Sequence, residues 1–184
     1  MAEYAEATCV VGSGGSAVQV DDYAARVSLR SEFDQAVRDG RAFSFASVTY
    51  DPDAHDTILG VQNTSTTHLL KVQSLVFTSD TASLIQVFTA TGVTMAGTAV
   101  TGVNLNRCTN RVAEGTAKCD ETGNSEQGSS YPTKLLQKQV AANTLEVIAV
   151  NGGIVLPYGH MVGVDLTTAA TAANATLLAW FEPL

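Results

Sequence analysis

Along most of this chain apolar residues recur at every second position, in short runs. "AFSFASVTY" sets Phe43 and Phe45 two apart, "TAVTGVNL" puts Ala99, Thr101, Val103 and Leu105 on one side, and "HMVGVDLTT" alternates Val162, Val164 and Leu166 with small or polar neighbours. A period of two marks a strand with one buried face. The same texture predicts strands in "DTILGVQN", "THLLKVQSLVFTS", "ASLIQVFTA", "TLEVIAV" and "ATLLAWFE", with weaker ones over Val112–Lys118 and Thr133–Gln139. Reversals are predicted at "TSDTAS", "NGG" and "LPYGH", which hold the Gly, Asn, Asp and Pro that turns require. About eight to ten short strands, with no stretch long enough for helical crossovers, predict an all-β fold, an antiparallel β-sandwich of two sheets.

The first forty residues follow a different pattern. "VGSGGSAVQ" is rich in Gly and Ser and has no periodic apolar face, so residues 1–40 read as an N-terminal extended arm. Within it "SEFDQAVRDG" predicts one short helix over about residues 31–39. Ser31 is placed to cap it, Glu32 and Asp34 sit in the first turn, and Gly40 stops it. Phe33 and Val37 form too narrow an apolar face to stand alone, so the helix must pack on the β-sandwich domain expected over 41–184. The polar stretch "NRCTNRVAEGTAKCDETGNSEQGSSYPT" reads as a long surface insertion between core strands.

Composition narrows the functions. A chain of 184 residues, 45% apolar and only 15% charged, folds as one domain whose polar surface is largely Thr, Ser, Asn and Gln. A net charge of -8 argues against nucleic acid as a partner, because phosphate binding rests on clustered Lys and Arg. The opening "MAEYAEATCVVGSGG" lacks the basic start and apolar core of a secretory signal, and no apolar run approaches the roughly 18 residues that cross a bilayer. The expectation is a protein assembled in the cytoplasm, with no membrane partner.

Groups capable of chemistry are sparse. His55, His68 and His160 are the three imidazoles available for proton transfer, and neither strand-end His68 nor post-turn His160 is assigned a catalytic role. A cupin-like metal site would need these imidazoles and a carboxylate to converge, and no H-x-H spacing begins one. "DPDAHD" gathers Asp51, Asp53, His55 and Asp56, oxygen-rich enough for a hard cation. It lacks the alternation and distal acid of a calcium loop, and a solvated turn is the favoured reading. No metal, cofactor or catalytic residue is assigned. Cys108 and Cys119, with Cys9 the only other thiol, are too few and too far apart for structural zinc. They read either as two free thiols or as a disulfide closing a short loop, worth about 3 kcal/mol if unstrained. "GSGG" has no Lys-Ser/Thr after it and reads as linker. Trp180 is expected to pack in the core beside Leu177, Leu178 and Phe181.

"GTAVTGVNLNR", then "LEVIAVNGGIVLPYGHMVGVDLTT" and the closing "NATLLAWFE", resemble the small β-sandwich structural proteins of tailed bacteriophages. The likeness runs from about Phe43 to Glu182. Similarity to capsid decoration, or cement, proteins implies a jelly-roll-like sandwich, often a homotrimer, on the capsid exterior of the virion with the major capsid protein as partner. It implies no catalytic residues. The resulting expectation is a non-enzymatic virion protein that binds and stabilises the shell. The alternative is a carbohydrate- or receptor-binding sandwich of a phage tail or head fibre, for which Tyr131 and Tyr158 are the aromatics in predicted loops.

Overall fold

The computed structural model describes residues 31–119 and 133–184. Residues 1–30 of the arm expected over 1–40, and residues 120–132 of the mid-chain insertion, Tyr131 among them, lie outside the described residues. The predicted helix is α1, Glu32–Arg38, where the Ser31 hydroxyl accepts a hydrogen bond from the Asp34 amide at 3.1 Å. The strands are β1 (Ala42–Ala46), β2 (Thr57–Asn63), β3 (His68–Ser79), β4 (Ser83–Thr91), β5 (Thr98–Val100), β6 (Val103–Asn104), β7 (Gly115–Cys119), β8 (Thr133–Val140), β9 (Glu146–Leu156), β10 (His160–Leu166) and β11 (Ala173–Pro183).

They form two sheets, ordered β6-β1-β11-β3-β9 and β5-β7-β2-β10-β4-β8, and every pairing is antiparallel. With β5, β6 and β7 set aside, β1-β11-β3-β9 faces β2-β10-β4-β8. That is the strand order of a jelly roll. The three short strands all come from the connection between β4 and β8: β6 widens the first sheet beside β1, while β7 and β5 widen the second beside β2.

The alternation read in the sequence becomes the core. Phe43, Phe45, Val72, Phe77, Val162, Val164, Leu177 and Phe181 point between the sheets and are buried. Each fully buried side chain of this size contributes about 1.5–3 kcal/mol against leaving it in water.

Both outer faces are partly covered. On the first sheet α1 lays Phe33, Ala36 and Val37 over Ala42 and Trp180. Trp180 is therefore buried, as expected, but under the helix instead of between the sheets; the chain neighbour that enters the main core is Phe181. On the second sheet the segment after β4 brings Met95 against Phe88 and Met161.

Two sequence expectations are corrected. "TAVTGVNL" is not one strand: it breaks at Gly102, so that β5 lies in one sheet and β6 in the other. A Cβ at Gly102 would meet the Phe45 ring at 2.6 Å and Ala113 at 2.8 Å, so the crossing between layers needs a residue without a side chain. "NGG" is not a reversal. β9 runs through it as a bulge, with Asn151 at φ 49° and Gly152 at φ 78°, and the register against β3 shifts between Val72 and Ser74. Against two steps along β3, from Val72 to Ser74, β9 takes five, from Ile154 to Ala149, and the extra residues are absorbed as a bulge that bends the strand without ending it.

Candidate functional site

The three imidazoles do not converge. His55 belongs to the β1–β2 connection at one end of the sandwich, whereas His68 and His160 begin β3 and β10 at the other.

The "DPDAHD" acids are used to shape a turn. Asp56 is buried, and its carboxylate accepts from the Asp53 amide at 3.0 Å, while the His55 amide donates to the Leu166 carbonyl at 2.7 Å. Asp51 and Asp53 face solvent. His55 has a φ of 70°, a conformation that costs a non-glycine residue on the order of 1 kcal/mol. The turn holds its ring over β10, where Nδ1 lies 3.8 Å from a carboxylate oxygen of Asp165.

Asp165 was not singled out by the sequence reading. Met161, Gly163 and Asp165 alternate with the core residues Val162, Val164 and Leu166, so Asp165 projects from the outer face of the second sheet, level with Thr57 on β2 and Gln86 on β4. All three are buried. Burial pushes the Asp165 carboxyl up to about 7, with the Lys134 charge pulling the other way. The signal in the sequence was a lone acid on the non-core parity of a strand whose other outward residues are Met and Gly.

At the opposite end His68 meets Ser65, Thr67 and Glu114. Its Nδ1 lies 2.9 Å from Glu114 Oε2, 2.9 Å from Thr67 Oγ1 and 3.3 Å from Ser65 Oγ, and the Ser65 hydroxyl also donates to Glu114. The residue types are those of a serine hydrolase. The geometry is not, because such a relay places the nucleophile on one ring nitrogen and the acid on the other, and here both oxygens crowd Nδ1. What the cluster does is fasten the approach to β7 onto the β2–β3 turn, where Thr64 N and Oγ1 also donate to the Glu114 carbonyl, at 3.1 and 2.9 Å. Asn63 is buried beside it, its amide donating to the carbonyls of His68 and Leu156 at 2.9 Å each.

Cys108 is exposed after β6 and Cys119 is buried at the end of β7, and no disulfide joins the two. Among the described residues no group of three or more His, Cys, Asp and Glu is placed to hold a metal ion. No described helix is long and apolar enough to cross a membrane.

An apolar recess lies where the two sheets part, between β8 and β9. It has a volume of about 590 Å³ and is lined by Leu75, Leu135, Leu136, Ile148, Ile154 and Val155, with His160 at its margin. The sequence carried a hint of it. Leu135 and Leu136 are adjacent, and Leu145, Val147, Ile148 and Val150 occupy both parities of β9 and its approach, so apolar side chains emerge on both faces of an edge strand. Leu135, Leu136, Val147 and Val155 remain 45%, 38%, 55% and 45% exposed. Among the described residues His160 is the one titratable group that lines the recess.

No family model, curated protein or solved structure matches this chain.

Proposed function

We propose that this chain is a non-enzymatic structural protein of a bacteriophage virion, one that binds the capsid exterior and stabilises the shell as a decoration or cement protein. The observation that carries the reading is the β8/β9 recess. Leu135, Leu136, Val147 and Val155 leave apolar side chains in water along the outermost described strands of the two sheets, in the manner of a polypeptide interface. The jelly-roll strand order and the resemblance of "GTAVTGVNLNR" and "NATLLAWFE" to small virion sandwich proteins support the same setting. The side chains most capable of chemistry, Ser65, His68 and Glu114, are consumed in a structural tie.

The major capsid protein is the proposed partner, and self-association into a homotrimer is the proposed assembly. Repeating one contact around a closed ring multiplies avidity and covers free sheet edges. Purified protein added to undecorated heads tests this: saturable, stoichiometric binding with raised heat resistance is expected, and absence of binding contradicts it.

A carbohydrate-binding role would rest on exposed aromatics. Tyr158, 62% exposed in the β9–β10 turn, is the described aromatic that fits, whereas Trp180 is buried beneath α1. A glycan array separates the two readings, with no binding expected.

A further inference from the structure

The bulge in β9 holds the parts of a reaction that needs no substrate from outside. No residue of β3 stands in register with Val150–Gly153, because the ladder passes from Ile154, opposite Val72, directly to Ala149, opposite Ser74. Within that stretch Asn151 is exposed with a φ of 49°, and Gly152 follows at 78°. Asn151 is the one Asn in the chain that a Gly follows. Packing keeps that glycine in place: a Cβ on Gly152 would stand 2.7 Å from the Trp180 ring.

The side-chain amide of an Asn is an acyl group within reach of the backbone nitrogen of the next residue. Attack by that nitrogen on Cγ closes a cyclic imide, an intramolecular step with the rate advantage of held reactants. A side chain on the next residue obstructs the closure, and Gly152 has none. The Asn151 carbonyl is also polarised, because Oδ1 accepts a hydrogen bond from Gln73 Nε2 at 3.1 Å. A donor at that oxygen draws electrons from Cγ and stabilises the negative charge that forms as the nitrogen adds. Asn104 and Asn106 are held the other way round, their Nδ2 groups donating to the carbonyls of Gly40 and Arg38 at 2.8 and 2.7 Å. In both, the nitrogen that would have to leave is the atom that is tied down.

We infer that Asn151 is a self-modification site, where the folded chain converts its own amide to an acid without an enzyme. The Gly152 nitrogen bonds to Asn151 Cγ and gives up its proton, the Cγ–Nδ2 bond breaks, and Nδ2 departs as ammonia. Water then opens the imide. Opening at the side-chain carbonyl restores the ordinary backbone with aspartate in place of Asn151; opening at the main-chain carbonyl routes the chain through the side chain as isoaspartate. Nothing is oxidised or reduced. Either product sets a carboxylate against Gln73, and isoaspartate adds an atom to the backbone that packs on Trp180.

Asn143 is the control that the molecule supplies. It is exposed in the β8–β9 turn with a φ of 56°, but the residue after it is the β-branched Thr144. Full-length folded protein held at pH 8 and sampled over time, with peptide mapping and enzymatic methylation of isoaspartate at each point, tests the inference. Asn151 should convert at least about tenfold faster than Asn143. Gln73→Leu, at a partly exposed position, should slow Asn151 by about fivefold, the worth of one hydrogen bond, and leave Asn143 unchanged. Conversion at Asn151 no faster than at Asn143 overturns the inference, as does a rate that Gln73→Leu leaves unmoved. Neither outcome depends on binding to heads.

Discussion

The carboxylate of Asp165 and the imidazole of His55 face each other across 3.8 Å, the first fully buried on the outer face of β10 and the second half-exposed above it. The contact joins a strand to the turn that changes sheets. Its energetic sign is set by burial, which raises the Asp165 carboxyl to about 7 from the ordinary 3.8.

The folded chain therefore holds a proton that the unfolded chain releases, and stability falls as pH rises between about 4 and 7, then levels. Asp165→Asn should remove that slope and stabilise the protein above pH 7 by about 1–2 kcal/mol, solvent screening holding the figure below the full linkage value. Chemical denaturation of both proteins at pH 5 and pH 8 checks it.

Gly163 underlies the Phe88 ring so closely that an added Cβ would stand 2.3 Å from it. Gly163→Ala should destabilise by about 2–3 kcal/mol, as overpacking does. Combining it with Phe88→Leu should cost less than the sum of the two changes, because the shared clash is relieved. Gly92 has open space around it, and Gly92→Ala should cost only about 1 kcal/mol, from its φ of 69°. Midpoints of denaturant unfolding give all four values.

Phe33 stands edge-on to Trp180, ring centroids 5.6 Å apart. Phe33→Ala should detach α1 from the first sheet at a cost of about 2–3 kcal/mol. Because the chain has a single Trp, intrinsic fluorescence reports the change directly, and the emission should shift to the red.

Ser65 is the hub between Glu114, His68 and the amides of Thr67 and His68. Ser65→Ala should cost about 1 kcal/mol by removing its hydrogen bonds to part-exposed partners, and amide exchange should quicken in β7.

Period-two alternation made the strands legible because one face of each sheet is buried: Val162, Val164 and Leu166 fall in the core as their spacing predicts. The Ser31 cap and the Gly40 stop were legible as local chemistry. Gly102 and "NGG" were misread, since a change of sheet and a bulge both depend on what lies opposite, Phe45 in one case and β3 in the other. Ser65 and His68 share the β2–β3 turn, but Glu114 lies 49 residues beyond Ser65, and only tertiary contact brings it to them. Asp165 looked like any outward strand residue until its neighbours proved to be buried.

The most direct measurement of the proposed role is calorimetric titration of undecorated heads with purified protein, followed by thermal disruption of the loaded particles. Saturation at a fixed ratio to capsid sites, and disruption at a higher temperature than bare heads, are the results expected. Heads that take up no protein, or pure protein that turns over a small molecule and loses that activity when His55, His68 or His160 is replaced, would contradict it.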